Sequence, residues 1–468
     1  MKHPNPALDL VEVALPQSLD RLFDFIRIKS VSTDPAFAPA CQQAAEWCSA
    51  QLRDLGFEAG IHATAGQPIV LGHLPGPDDA PHVLFYGHYD VQPADPAALW
   101  ERDAFSPWIS ERDGIARITG RGASDDKGQI MTFLEALRAL KSADALPPLR
   151  ITVLIEGEEE IGSRSLEPFL RAHAGDLDAD VVLICDTPMW DAATPAVTTR
   201  LRGLLAEEVR IGGASRDLHS GVYGGAAPNP IRILATILAG LHDTDGRVML
   251  PGFYDDVGVL PDRIRAQWSG LDFDAEAFLA AVGVAEPMGE NGYSVLEQVW
   301  ARPTLEFNGI SGGYAGVGSK TVIPAEASAK ITFRLVGRQD PERIRASLHR
   351  FIEDRLPPGT WVEFLGAGAA SPAIEVADDS PAVNTICRAL EAEWSVAPVL
   401  MGCGGSIPVV ESFKTVLGKE AILVGFALNE DAVHSPNESY RLSSFCGGIR
   451  SWVRILEQLA KDQLPSRS

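Results

Sequence analysis

Cysteine is scarce in this chain, with six in 468 residues, and no two of them stand as C-x-x-C. That spacing excludes a zinc ribbon and does not outline a disulfide framework, so reduced thiols are expected. Cys41 and Cys48, seven apart, read as core residues on one helix face. Basic residues are also in deficit. Against 63 Asp+Glu stand 40 Lys+Arg, a formal net charge of -23. Such a chain repels phosphate backbones and anionic lipids, so neither nucleic acid nor a membrane is expected as a partner. No apolar run approaches the roughly 20 residues of a bilayer-spanning helix. The opening stretch MKHPNPALDLVEVALPQSLD lacks the basic-then-apolar order of a leader, which gives a cytoplasmic expectation. Two catalytic devices find no support. In GISGGYAGVGSKT the Lys and Thr do not follow the last Gly in phosphate-loop order, and neither a strand-to-helix serine elbow nor a nucleophilic cysteine favours covalent acyl transfer.

What the chain has is core. At 46% hydrophobic residues and this length it is globular, with two to four domains by length alone. Its first 200 residues alternate helix-like and strand-like runs. Helices are expected over SLDRLFDFIRIKSV, residues 40–55, 127–140 and SRSLEPFLRAH; strands over residues 68–74 and 82–87, LRITVLIEG and ADVVLICD. This βα texture predicts a parallel or mixed sheet covered by helices. From residue 201 the pattern changes. RGLLAEEVRIGG and AEASAKITFRLVG alternate like half-exposed strands, with helices at NPIRILATILAGL and DPERIRASLHRFIEDRL, and the α/β texture returns after residue 375. The expected organisation is α/β: a catalytic domain in two parts, 1–200 and 376–468, interrupted by a smaller α+β domain over 201–375.

Chemistry collects at the strand ends. VLFYGHYDVQP delivers His88 and Asp90 after a buried strand, and ITGRGASDDKGQ offers Asp125 and Asp126 in a Gly-rich turn before a helix. LIEGEEEIGS closes a strand on Glu158, Glu159 and Glu160. VVLICDTP ends another on Asp186, and EDAVHSPNES carries His434. Singly these read as a surface histidine, a helix cap or a solvated charge run. Together, two imidazoles and three carboxylates, His88, Asp125, Glu160, Asp186 and His434, suit borderline divalent cations such as zinc. Five ligands serve two ions if one carboxylate bridges. A neighbouring free carboxylate, Glu159, is what a hydrolase needs as general base, with adjacent residues of an extended segment pointing to opposite sides.

The segments GHYDVQP, GRGASDDKGQ, EGEEEIGS, ICD, DLHSGVYGG, SKTVIP, GGSIPV and VHSPNE, in this order, resemble the M20 family of dinuclear metallopeptidases, nearest to its cytosolic nonspecific dipeptidase and carnosinase branch. The resemblance runs from about residue 18 to 459. It implies a zinc-peptidase-like α/β catalytic domain with a mixed sheet, interrupted by a lid domain that dimerises. It implies two divalent ions per chain, zinc first and manganese or cobalt as alternatives, with Asp125 bridging, His88 and Asp186 on one ion, Glu160 and His434 on the other. Asp90 would orient His88, and Glu159 would be the base as a metal-bridging hydroxide attacks the amide of a dipeptide or short peptide. Glu158 would be a bystander.

The same resemblance makes His219 of RDLHSG the lid histidine that stabilises the oxyanion in a partner subunit's site. It makes Thr321 of SKTVIP, Arg334 of ITFRLV and Ser406 of GGSIPV, with His434, the groups around the substrate's carboxylate. Gly402 and Cys403 stand where that branch commonly has Arg-Glu, which opens the substrate question. The alternative is an amidohydrolase, deacylase or carboxypeptidase acting on N-acyl or N-carbamoyl amino acids. A non-catalytic metal-bound scaffold would require loss of the base, and Glu159 is present.

Overall fold

A computed structural model of the protein describes residues 5–462. Residues 1–4 and 463–468, the outer ends of the first and third expected segments, lie outside the described residues. Two compact units emerge. One takes the chain up to Thr199, Val376–Met401 and the part from Pro408; the other takes Arg200–Glu375 and Gly402–Ile407.

The first unit is organised by a mixed sheet in which Glu58–His62, Ile69–Leu74, Arg150–Glu156, His82–His88, Val181–Ile184, Ala421–Leu423 and Ala196–Leu201 lie in that order. Arg150–Glu156, His82–His88, Val181–Ile184 and Ala421–Leu423 are mutually parallel, while Ile69–Leu74 joins antiparallel. The parallel strands read as unbroken apolar runs because both faces are buried, Val83 to Tyr86 being inaccessible. Helix Lys127–Ser142 brings Phe133 to stack on Phe85 at 3.8 Å, and Trp452 of helix Leu442–Lys461 meets both rings edge-on. The Trp452 indole donates to Thr132 Oγ1 at 3.0 Å, so its polar atom is satisfied in the core. Truncating it would cost about 3–5 kcal/mol. Cys41, Cys48 and Cys185 are buried and the other three thiols half-buried, none of them in a disulfide.

A small sheet, ordered Ser439–Arg441, Ile115–Thr119, Trp108–Arg112, draws the C-terminal segment onto the first unit's early hairpin. The periodicity did not predict this hairpin. Its consequence is local: Ser439 pairs with Thr119, so the residues just before the one and just after the other become neighbours.

In the second unit four antiparallel strands follow the order Thr304–Gly312, Glu326–Leu335, Gly203–Gly212, Trp361–Ser371. Alternation in the two central strands turns Leu205, Val209, Ile211, Ile331 and Phe333 into a core with helices Pro230–Ala239 and Pro341–Glu353. Asn229 and Asp340 cap those helices through their side chains. Residues 243–303, punctuated by Pro and Gly, contain short helices Asp262–Ser269, Ala275–Ala280 and Val295–Trp300. Too short for a periodic signal, they are held by tertiary contacts and caps such as the Ser294–Glu297 box. GISGG, residues 309–313, matches the serine-hydrolase pattern by letters, yet its serine lies in edge strand Thr304–Gly312 and no strand-to-helix turn forms there. Among the described residues no helix is long and apolar enough to cross a membrane.

Candidate metal centre

Three parallel strands end side by side, and each gives a different polar group to one place. His82–His88 ends on His88, Arg150–Glu156 leads into the Glu158–Glu160 turn, and Val181–Ile184 is followed by Asp186. The turn from Gly120 and the C-terminal loop supply Asp125 and His434. Ligand atoms of His88, Asp125 and Asp186 lie within 4.8 Å of one another, as do those of Asp125, Glu160 and His434. Asp125 belongs to both groups. His88 Nε2 is 3.1 Å from Asp125 Oδ1 and 3.7 Å from Asp186 Oδ2; His434 Nε2 is 2.9 Å from Asp125 Oδ2 and 3.2 Å from Glu160 Oε2.

The electrostatics are those of a cation site. Burial alone would push His88 down, but the carboxylates of Asp125, Asp186 and Asp90 outweigh it and hold the imidazole well above its ordinary range. Contacts with Asp125 and then Glu160 raise His434 to about 10. Burial pushes Asp125 up, yet His434 and His88 outweigh it and hold the carboxyl well below its usual range. Protons on the two imidazoles thus balance an anionic cluster, and a divalent ion would displace them. His88 Nε2 is buried and, though 3.1 Å from Asp125 Oδ1, makes no well-aligned hydrogen bond among the described residues, a gap that a metal ion would fill. The donor set of two imidazoles and three carboxylates fits a pair of such ions.

A set of buried carboxylates holds the ligands in place. His88 Nδ1 lies 3.1 Å from the Asp90 carbonyl and 3.4 Å from its carboxylate, which leaves Nε2 for the centre. The Asp90 carboxylate also accepts the N–H groups of Glu159 and Glu160, at 3.2 and 3.1 Å, and the Ser32 hydroxyl at 2.6 Å. Gln92 donates to Glu160 Oε2 at 2.7 Å. Asp126 stands at the N-cap of helix Lys127–Ser142 but makes no side-chain cap bond. It instead accepts the His88 N–H at 3.1 Å and the Cys185 thiol at 3.4 Å, tying two strand ends together. A side chain at Gly87 would begin 2.9 Å from that carboxylate and 2.6 Å from Ile130, so glycine lets it close in.

The acidic run departs from the reading as surface charge. Residues Glu159–Ile161 form a 3-10 turn, not an extended segment, so Glu159 and Glu160 diverge by helical rotation. Glu160 joins the ligand cluster. Glu159 does not, and burial pushes its carboxyl up to about 8. Glu158, expected as a bystander, is buried and accepts the N–H groups of Gln67 and Ser165 at 3.1 and 2.9 Å. It fixes the turn that carries its two neighbours.

Glu438 escaped the sequence reading, although it closes the quoted VHSPNE. Its buried carboxylate accepts N–H groups of Gly122, Ser124 and Asp125 at 2.9–3.0 Å and the Arg121 guanidinium at 2.7 Å. A Gly-rich turn full of main-chain donors needs an acceptor, and that need was the available signal.

The remaining predicted residues lie in the second unit. His219 is exposed, and its Nδ1 accepts the Gly221 N–H at 3.0 Å. It pairs across a short ladder with Val322, and the Thr321 carbonyl accepts the Ser220 N–H, so His219 and Thr321 are neighbours. Arg334 is half-buried opposite Leu204 and Thr304. Ser406 belongs to Gly402–Ile407, a segment held by Arg202, whose N–H donates to Cys403 O and Nε to Gly404 O, both at 3.1 Å.

Comparison with known proteins identifies the family. The model of peptidase family M20/M25/M40 matches residues 84–458. A Schizosaccharomyces pombe protein, the Cys-Gly metallodipeptidase dug1, is 31% identical over 467 residues, covering 97% of each chain. The human Beta-Ala-His dipeptidase is 28% identical over 400 residues, 84% of this chain and 78% of that one. Among solved structures, the M20 family metallo-carboxypeptidase Sso-CP2 from Sulfolobus solfataricus superposes with a TM-score of 0.76 at 29% identity, covering 95% of this chain and 99% of that one.

Proposed function

The chain belongs to peptidase family M20/M25/M40 and is a metal-dependent hydrolase of dipeptides, and from that premise we propose how its residues divide the work. His88 and Asp186 would hold one divalent ion and Glu160 and His434 the other, with Asp125 shared between the two groups; zinc is the first expectation, manganese or cobalt the alternatives. The observation that carries this reading is the membership of Asp125 in both ligand groups. When bound, the ions supply the positive charge that acidifies water and polarises the scissile carbonyl.

Glu159 takes the proton of the attacking water and returns it to the leaving amine. Its support is position: the residue beside a ligand, excluded from the cluster, half-buried and held by Asp90 through its main chain. A free carboxylate in that place is suited to general base work. Arg334, Thr321 and Ser406, with His434, receive the carboxylate of a short substrate, in keeping with the dipeptides named for the relatives.

His219 donates to the developing oxyanion. With Nδ1 accepting from Gly221, the neutral imidazole carries its proton on Nε2, the tautomer that can donate. The domain that carries it, residues 201–375, serves as lid and dimerisation domain of a homodimer. Support comes from edge strand Thr304–Gly312, which leaves one ladder side open and exposes Phe307 and Ile310. Six cysteines outside any disulfide suit a reducing cytoplasm.

Glu159→Gln tests the central step. The variant should keep two ions and its fold while kcat for a dipeptide falls about 10²–10⁴-fold. Metal loss would instead make Glu159 a ligand. A second reading, an N-acyl amino acid hydrolase or carboxypeptidase, is favoured by one feature: Gly402 and Cys403 remove the charged pair expected near Ser406, and the carboxypeptidase structure is among the similar ones. Rates on dipeptides and on N-acyl amino acids, assayed side by side with each metal, separate the two.

A further inference from the structure

The second unit has an open cavity of about 250 Å³ whose wall is rich in the basic residues that are in deficit overall. Arg200, Arg202, Arg247, Arg265 and Arg302 line it, against only two carboxylates, Glu297 and Glu375. In a protein of net charge -23, five guanidiniums around one small space call for a compensating anion. The carboxylates present are already engaged. Glu375 meets Arg200 at 3.1 Å, and Glu297 meets Arg265 at 3.0 Å. Glu290, outside the lining, divides between Arg302 at 2.6 Å and Arg247 at 3.6 Å.

Among the described residues Arg202 has main-chain partners only. It donates to the carbonyls of Gln298, Arg302 and Gly404, and no carboxylate pairs with it. Arg302 packs over the Tyr293 ring at 4.2 Å, and Arg247 over Tyr254 at 4.7 Å. The rings restrain those guanidiniums without neutralising them. Planar, always-charged forks held in this way recognise phosphate and carboxylate groups bidentately.

We propose that this cavity is a second binding site, for a small polyanion of the phosphate-ester or dicarboxylate class, and that its occupation reaches the loop bearing Ser406. Two of its wall residues hold that loop. Arg202 bonds to Cys403 and Gly404, and a side chain at residue 402 would begin 2.6 Å from Trp300 Cβ, so Gly402 is what lets the cavity wall pack against the loop. The effect on catalysis rests on Ser406 touching substrate, whereas the binding does not.

Calorimetry of the metal-loaded protein with sulfate, succinate and glycerol 3-phosphate tests the site and tells the sources of negative charge apart. At least one probe should bind saturably at one site per chain. Its affinity should fall about ten- to hundredfold in Arg202→Gln and in Arg247→Gln, the loss expected for one charged contact. Arg247 is half-exposed, so that variant folds even if a change at Arg202 does not. Arg334→Gln should leave binding within a few fold, separating this cavity from the groups proposed for the substrate carboxylate. No saturable heat with any probe, unchanged affinity in both variants, or loss in Arg334→Gln alone overturns the site. With the cavity saturated, KM for a dipeptide should shift severalfold, and an unmoved KM overturns the link to the loop.

Discussion

The Glu438 carboxylate accepts the main-chain N–H of Asp125 at 3.0 Å, so a residue of the C-terminal segment sets the orientation of the carboxylate shared by both ligand groups. The same segment carries His434, which sits at φ 61°, a left-handed conformation held by its surroundings. Glu438→Gln leaves at least one of those turn donors facing an amide N–H. We expect metal affinity to fall about 10–100-fold, as for other outer-shell carboxylates. Equilibrium dialysis with elemental analysis decides it, and wild-type affinity in the variant would contradict the role.

Asp125 is the member common to His88–Asp186 and Glu160–His434. Asp125→Ala should therefore lose both ions, whereas Asp186→Ala should lose one preferentially. Metal counts per chain after identical reconstitution separate the cases. Retention of one ion by Asp125→Ala would exclude the bridge.

His219 and Glu159 lie in different units. If each site borrows its histidine from the partner, His219→Ala and Glu159→Gln chains, each nearly inactive, should regain part of the activity when mixed and allowed to exchange. The loss in His219→Ala alone should be about 10²–10³-fold in rate. Mixed dimers as inactive as their parents would place His219 within its own chain's work or outside catalysis.

Burial raises the Asp431 carboxyl to about 7, against the help of the Leu428 N–H and the Ser124 hydroxyl. An unfolded Asp titrates near ~3.9. Between those values the folded protein keeps a proton that the unfolded chain releases, so this group removes stability as pH rises from about 4 to 7. Asp431→Asn abolishes that titration. Denaturant unfolding at several pH values should show the variant gaining on the wild type across this window; a constant difference would refute the assignment.

The candidate ligand positions were legible in the sequence, because strand periodicity and a polar residue after each apolar run place His88, Asp186 and the Glu158–Glu160 run at strand ends. Local chemistry determined that much. The sequence also carried the division between α/β flanks and the alternating strands of the insertion. It could not reveal which distant carboxylate answers which donor. Glu158 looked like solvated charge until Gln67 and Ser165 closed over it, and Asp126 looked like a helix cap until it bonded His88 and Cys185 instead. Glu438 meets Asp125 across 313 positions of chain, and Arg202 meets Gly404 across 202. No period or propensity encodes such separations. Only the packed sheets decide them, since a buried carboxylate must find donors wherever the fold brings them.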